Sequence, residues 1–290
     1  MTLAFALVRA AHYLSLMTIF GAEALRALFV ARLRPVPEDR LPADVFHWAA
    51  AIAFITAIAW LALTMAQATG DPAAFFDGHM LAVTTTETSF GPFLVARIAA
   101  CGFLLVATFV PGTARARLLL SGFALADIAF TSHAAASNIF VSWVRVANDA
   151  THLLAAGFWI GSLVALAPFV IAHRREPDRL VPPLKVFSRY GLLAVALLVI
   201  AGTINGVLIL YADPARWSPT YLTLLAIKLV LAALMVALAL ANRFSLLPGV
   251  SAGNVEAEHN LVGSVIAEIV TGAIIVVIVG FLGILPPLAM

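Results

Sequence analysis

Residues 144–172 read VRVANDATHLLAAGFWIGSLVALAPFVIA, and this stretch decides the fold class. A helix crosses about 30 Å of hydrocarbon in about 20 apolar residues, and this run is long enough even though Arg145, Asp149 and His152 interrupt its first part. Runs of the same kind occur at 3–31, 44–69, 91–110, 116–136, 187–211, 219–241 and 260–285. The sequence therefore predicts an all-α membrane protein with eight transmembrane helices. Composition agrees: the chain is 63% hydrophobic and 11% charged, with a mean hydropathy of +1.04, against roughly 25% charged residues in soluble domains. Too few polar groups remain to coat a water-facing surface, which excludes a soluble enzyme. A net charge of +2 gives no footprint for nucleic acid. The single cysteine, Cys101, excludes an intramolecular disulfide framework and multi-cysteine metal sites.

Loop charges set the expected orientation. Arg32, Arg34 and Arg40 follow the first span, Arg115 and Arg117 the third, Arg174, Arg175, Arg179 and Lys185 the fifth, and Arg243 the seventh. The alternate loops are poor in base: 70–90 holds Asp71, Asp77 and Glu87 without Lys or Arg, and 212–218 holds Asp213 and Arg216. Basic loops stay inside, so both termini and the acidic loop are expected outside. The first span is not read as a cleavable signal, because no basic segment precedes it and Arg9, His12, Glu23 and Arg26 interrupt it. Within 70–90, Pro72 to Leu81 is expected to form a short interfacial helix, with Phe75 and Phe76 at the headgroups.

The two halves correspond. His12 precedes Gly21 by nine residues and Phe29-Val30 by seventeen, and His152 precedes Gly161 and Phe169-Val170 at the same spacings. Asp71-Pro72-Ala73 matches Asp213-Pro214-Ala215, Phe90 with Arg97 matches Tyr221 with Lys228, and Gly122 with Ala126-Asp127-Ile128 matches Gly263 with Ala267-Glu268-Ile269. The expectation is a 4+4 tandem repeat, residues 1–140 and 141–290, of equal topology and parallel orientation. His12 and His152 then lie at matching depth, about 12–14 Å from the outer ends of their helices.

Ionisable groups in hydrocarbon are costly, and so are paired, water-lined or functional. Arg97 with Asp127 and Lys228 with Glu268 are the expected charge pairs between helices. Glu23 and Arg26, three residues apart on one helical face, are expected to pair locally. His47, His173 and His259 fall at inner helix ends or loops and are read as solvated or lipid-facing. His12, His79, His133 and His152 fall on the outer side, and His152 has Asp149 one turn before it. Imidazole with carboxylate suits Cu(II) or Zn, and a ligating His commonly gives its other N–H to a carboxylate. The candidate metal ligands are His12, His133, His152, Asp149 and His79, with Met80 as an auxiliary. Methionines do not line one helix face near these histidines, which argues against a thioether Cu(I) conduit. Trp48, Trp143 and Trp217 are placed as an aromatic belt, Trp159 as packing, and Asn205 between Gly202 and Gly206 as a close helix contact.

The run Ser132-His133, then Asp149-Ala-Thr-His152-Leu-Leu-Ala-Ala-Gly-Phe-Trp159-Ile-Gly161, then Phe187-Ser188-Arg189, resembles the CopD family of inner-membrane copper proteins. So do Lys228, Ala241-Asn242-Arg243-Phe244 with Pro248, and the closing Leu-Gly-Ile-Leu-Pro286-Pro287. The resemblance runs from about 120 to 287. Arg9-Ala-Ala-His12-Tyr13 and Thr88-Ser-Phe90-Gly91 to Arg97 extend it over the first half. It implies an eight-helix protein of the bacterial inner membrane that handles copper between periplasm and cytoplasm, and a separate CopC-type periplasmic partner docking on the outer face. Uptake is favoured because the candidate ligands lie outside, and no ATP-binding or phosphorylation motif marks a primary pump. The protein is expected to be a carrier rather than an enzyme. Two rivals stand beside it: a haem- or copper-dependent electron-transfer or reductase protein, since histidines at equal depth also suit bis-His haem ligation, and a binding-only sensor or scaffold.

Overall fold

A computed structural model describes residues 2–33, 41–131, 139–210 and 218–285. The described residues are helical, with no strand among them. Ten α-helices follow one another: α1 (Thr2–Arg32), α2 (Ala43–Thr69), α3 (Gly78–Thr86), α4 (Gly91–Phe109), α5 (Ala114–Asp127), α6 (Ile139–Ala172), α7 (Pro177–Leu210), α8 (Pro219–Ala241), α9 (Leu247–Ser251) and α10 (Val255–Leu282). Among the described residues seven segments are long and apolar enough to cross a membrane, namely α1, α2, α4, α6, α7, α8 continued to Ser251, and α10.

Of the expected span 116–136, the described residues form α5 and a 3₁₀ turn over Ile128–Thr131, and the rest lies outside them. His133, with Arg34, Arg40, Asp213-Pro214-Ala215, Arg216, Trp217 and Pro286-Pro287, lies outside the described residues.

Local chemistry sets the boundaries. Asp44 stands in the first turn of α2, which stops at Gly70, whose φ of +75° belongs to the left-handed region open to glycine. The Asp77 carboxylate caps α3 by accepting from the amides of His79 and Met80, and the Asn254 side chain caps α10 by accepting from Glu256 and Ala257. The acidic loop therefore folds as a 3₁₀ turn, Ala74–Phe76, followed by α3, rather than one helix over Pro72 to Leu81. Arg179 and Lys185, expected in a loop, ride on the first turns of α7, so the α6–α7 connection shrinks to residues 173–176. Beyond α8 a π-turn, Asn242–Leu246, leads into α9. Pro248 cannot supply the next helical N–H, and the wider turn absorbs the mismatch.

α1 and α6 form the centre. α2, α4 and α5 gather on the α1 side and α7, α8 and α10 on the α6 side, while α5 also touches α6 and α10 also touches α1. α8 buries only Tyr221 and Met235 and turns Leu229 and Val230 outward, as a lipid-facing helix does.

Candidate functional site

The central pair meets at two glycines. A Cβ on Gly161 would strike the Met17 carbonyl, and one on Gly21 would strike the backbone of Gly161 and Ser162. The helices approach backbone to backbone, and Ser162 Oγ donates to the Gly21 carbonyl at 3.0 Å. Met17 and Phe20 also meet Gly157, so contacts advance along both chains together and the helices are parallel. His12 and His152 each stand nine residues before their crossing glycine, about 13 Å toward the same end of the bundle.

From that shared level the two side chains enter different surroundings. His12 is fully buried. Its Nδ1 lies 3.1 Å from the Ala53 carbonyl and 3.0 Å from Thr56 Oγ1. A carbonyl only accepts, so Nδ1 carries the hydrogen and Nε2 presents its lone pair, buried and without a protein partner. Trp60 meets the imidazole edge to face at 5.6 Å. Around the same indole lie Arg9 at 4.2 Å and Arg97 at 4.9 Å, each as a cation–π contact. Arg97 Nε donates to Asp127 Oδ2 at 2.8 Å, and its Nη2 donates to Thr131 Oγ1 at 2.8 Å. Arg9 has the Tyr13 hydroxyl at 3.5 Å. Two guanidinium groups against one carboxylate leave this pocket with one excess positive charge.

The second pocket is built by α6, α7 and α8. Asn148 Nδ2 donates to Asn205 Oδ1 at 2.6 Å and to the Ala201 carbonyl at 3.0 Å, and Asn205 Nδ2 donates to Asp149 Oδ1 at 2.6 Å. His152, one turn after Asp149, faces α7 across Gly202, where a Cβ would sit 3.5 Å from Cε1 and 3.8 Å from Nδ1. Its Nδ1 is buried and makes no hydrogen bond of good geometry, while the Leu198 backbone is the ring's neighbouring polar group. Lys228 is within electrostatic reach of both His152 and Asp149. Lys228 and Asp149 supply opposite charges here, and an imidazole nitrogen stands among the amides of Asn148 and Asn205.

The remaining expectations resolve individually. Arg97 and Asp127 pair, whereas Lys228 and Glu268 do not: Glu268 accepts from Trp159 Nε1 at 3.2 Å and from Asn242 Nδ2 at 2.5 Å, and Lys228 has Asp149 as its counter-charge. Glu23 lies 3.6 Å from Arg26, but its closer partner is Arg117 of α5, whose Nε donates at 2.6 Å. His79 is exposed on α3, away from both pockets, while Met80 packs on the core beside it. His47 Nε2 donates to the Thr108 carbonyl at 3.1 Å and its ring stacks on Phe109, so it is engaged rather than solvated. Among the described residues no three of His, Cys, Asp and Glu converge on one point. The sequence reading missed Trp60, Thr56 and Asn148. Trp60 carried a signal, being a tryptophan in mid-span rather than at a helix end.

A bundle of apolar helices that holds ionisable side chains in two interior pockets is a polytopic α-helical membrane protein. Comparison with known proteins then narrows the class. Residues 1–143 match the family model described as the copper resistance protein D-like N-terminal domain, and residues 181–282 that of copper resistance protein D. The chain is 30% identical over 291 aligned residues to the inner membrane protein YebZ of Escherichia coli (strain K12), covering 97% of each protein. It is 37% identical over 135 residues to copper resistance protein D of Pseudomonas syringae pv. tomato, covering 45% of this chain and 44% of that one. It is 27% identical over 177 residues to the copper transport protein CutJ of Bacillus subtilis (strain 168), covering 57% and 32%. The chain belongs to the CopD family, and it is a multi-pass protein of the inner membrane. No solved structure matches it.

Proposed function

We propose that this protein is a copper carrier, working inward from the periplasm, with His152 and Asp149 as the main ligands and His12 in the matching pocket of the other half. What carries the reading is His152 Nδ1, a buried imidazole nitrogen that makes no hydrogen bond of good geometry, one turn from a carboxylate in the interior of a CopD-family chain. His12 has the tautomer of a ligand, its Nδ1–H held by a backbone carbonyl and Nε2 open. The carboxylate ranks the two pockets: Asp149 stands one turn from His152, whereas the carboxylate nearest His12 is taken by Arg97. His79 stands as an outer contact only.

Sidedness follows from helix direction. His12 meets Thr56 and Phe5 meets Trp60, so α2 runs antiparallel to α1 and delivers the acidic 70–90 loop to the same end as both histidines. Arg174, Arg175 and Arg179 lie at the other end, after α6. The positive-inside rule then favours the periplasmic side for the histidines and the termini, and an eighth crossing between α4 and α6 would complete the 4+4 arrangement. A loop carrying Asp71, Asp77 and Glu87 without a base suits a CopC-type donor that hands over a cation.

The test is the metal content and visible spectrum of detergent-purified protein, wild type beside His152→Ala and His12→Ala, followed by copper flux into proteoliposomes. Near-stoichiometric copper in wild type, lost in His152→Ala and weakened in His12→Ala, is the expected result. A Soret band as purified, or copper indifferent to His152→Ala, refutes it and makes the haem reductase reading the one to pursue. Loading without flux supports the sensor reading instead.

A further inference from the structure

Glu268 is 1% exposed and stands in the middle of α10. Its sequence counterpart in the first half, Asp127, is neutralised by Arg97 at 2.8 Å. Among the described residues no such cation stands within salt-bridge distance of Glu268; its two partners, Trp159 Nε1 and Asn242 Nδ2, are neutral donors. It also lines a cavity of about 60 Å³ between α6, α7, α8 and α10, whose other polar walls are Ser188, Asn242 and Arg243. That volume holds a few water molecules, which need polar partners of this kind.

We propose that Glu268 is a proton-exchanging carboxyl, served by water in this cavity from the end of the bundle that carries the π-turn. Magnitudes favour exchange over a fixed charge. An ion in a low-dielectric interior costs several kcal/mol even after relaxation, and each neutral hydrogen bond returns about 0.5–1.5 kcal/mol. Two of them leave the carboxylate incompletely compensated, whereas Asp127 has a full counter-charge.

The neighbouring amide fits both protonation states. With the carboxylate ionised, Asn242 Nδ2 donates to it, as seen. Asn242 Oδ1 is buried and without a partner, and rotation of the amide turns that oxygen to accept the O–H of the protonated acid. On deprotonation the O–H bond breaks, the proton passes to cavity water, and the electron pair stays on the carboxylate.

Of the charged groups on the surrounding helices, Lys185 and Arg189 ride on α7 and His259 on α10 without lining the cavity. Arg243 lines the same cavity and donates to Ser188 Oγ at 2.9 Å. On α1, Glu23 is tied to Arg117 and Arg26, and Arg9 sits at the far end beside Gly283. On α6, Asp149 and His152 belong with Lys228 of α8 to the second pocket. On α10, Glu258 is ten residues away toward the helix start. Among these groups Arg243 is the cation that shares the cavity lining with Glu268.

Infrared difference spectroscopy of the copper-free protein in lipid, titrated between about pH 5 and 9, tests this without relying on the copper reading. The expected result is a carboxylic C=O band that loses about tenfold intensity per pH unit above its midpoint, moves on transfer to D₂O, and vanishes in Glu268→Gln. In Trp159→Phe, which deletes one carboxylate donor but keeps Glu268, the band persists to more alkaline pH. No band assignable to Glu268 in either comparison, or a band that neither titrates nor exchanges, overturns the proposal. Copper loading measured on the same samples reports separately on the His152 pocket, so the two readings fail independently.

Discussion

Replacing Asp127 by Asn removes the counter-charge of Arg97 while keeping nearly the same volume. Arg97 is 1% exposed and Asp127 3%, so neither reaches water. After the change Arg97 retains Thr131 Oγ1 at 2.8 Å and the Asp127 backbone carbonyl at 3.3 Å, but the 2.8 Å ionic bond from Nε is gone. Breaking one side of a buried pair costs about 3–5 kcal/mol, a factor of roughly 10² to 10³ or more in the unfolding equilibrium. Arg97→Met with Asp127→Leu removes both charges and is expected to lie within about 2 kcal/mol of wild type, the residue of the loss being the cation–π contact with Trp60, worth about 0.5–2 kcal/mol. Equilibrium unfolding in mixed micelles, followed by tryptophan fluorescence, reads all three proteins. A single variant that costs less than about 1 kcal/mol, or a double variant less stable than the single, refutes the claim that an uncompensated buried cation dominates.

Gly161→Ala puts a methyl group into the Met17 carbonyl and is expected to cost about 1–3 kcal/mol in the same unfolding assay, with Gly21→Ala similar. Gly202→Val crowds His152 Nδ1 while Gly202→Ala makes an ordinary contact, so copper content of the purified protein falls with valine and holds with alanine. Thr56→Val leaves His12 Nδ1 only the Ala53 carbonyl and costs about 0.5–1.5 kcal/mol, read as a lowered midpoint with His152-dependent copper binding unchanged. Copper at a hundred times its dissociation constant raises stability by about 2.7 kcal/mol, and chelation removes that increment in wild type but not in His152→Ala.

The membrane class, seven of the expected spans, and the histidine pair at matched spacing were legible because each rests on local composition and on period along one chain. Hydropathy marks a span whether or not anything packs against it. On α5 the same signal covers both kinds of surface, for Leu125 is buried in the core while Leu119 and Phe123 face outward. The charge pairs were half legible. Arg97 and Asp127 meet, but equating Lys228 with Glu268 assumed that equivalent positions keep equivalent partners. In the second half Asp149 supplies a carboxylate that the first half lacks, and Lys228 turns to it.

By itself the sequence determined that this chain is an apolar helical bundle with scarce ionisable groups in its interior, since those properties are sums over single residues. Only the tertiary structure decided which helices became neighbours. A glycine contact between α1 and α6 fixes the two histidines at one level yet lets each face its own set of helices, so that one looks into a cationic pocket around Trp60 and the other into one beside Asp149. Side-chain direction about a crossing axis depends on the rotation of both helices, and no spacing along one chain encodes it.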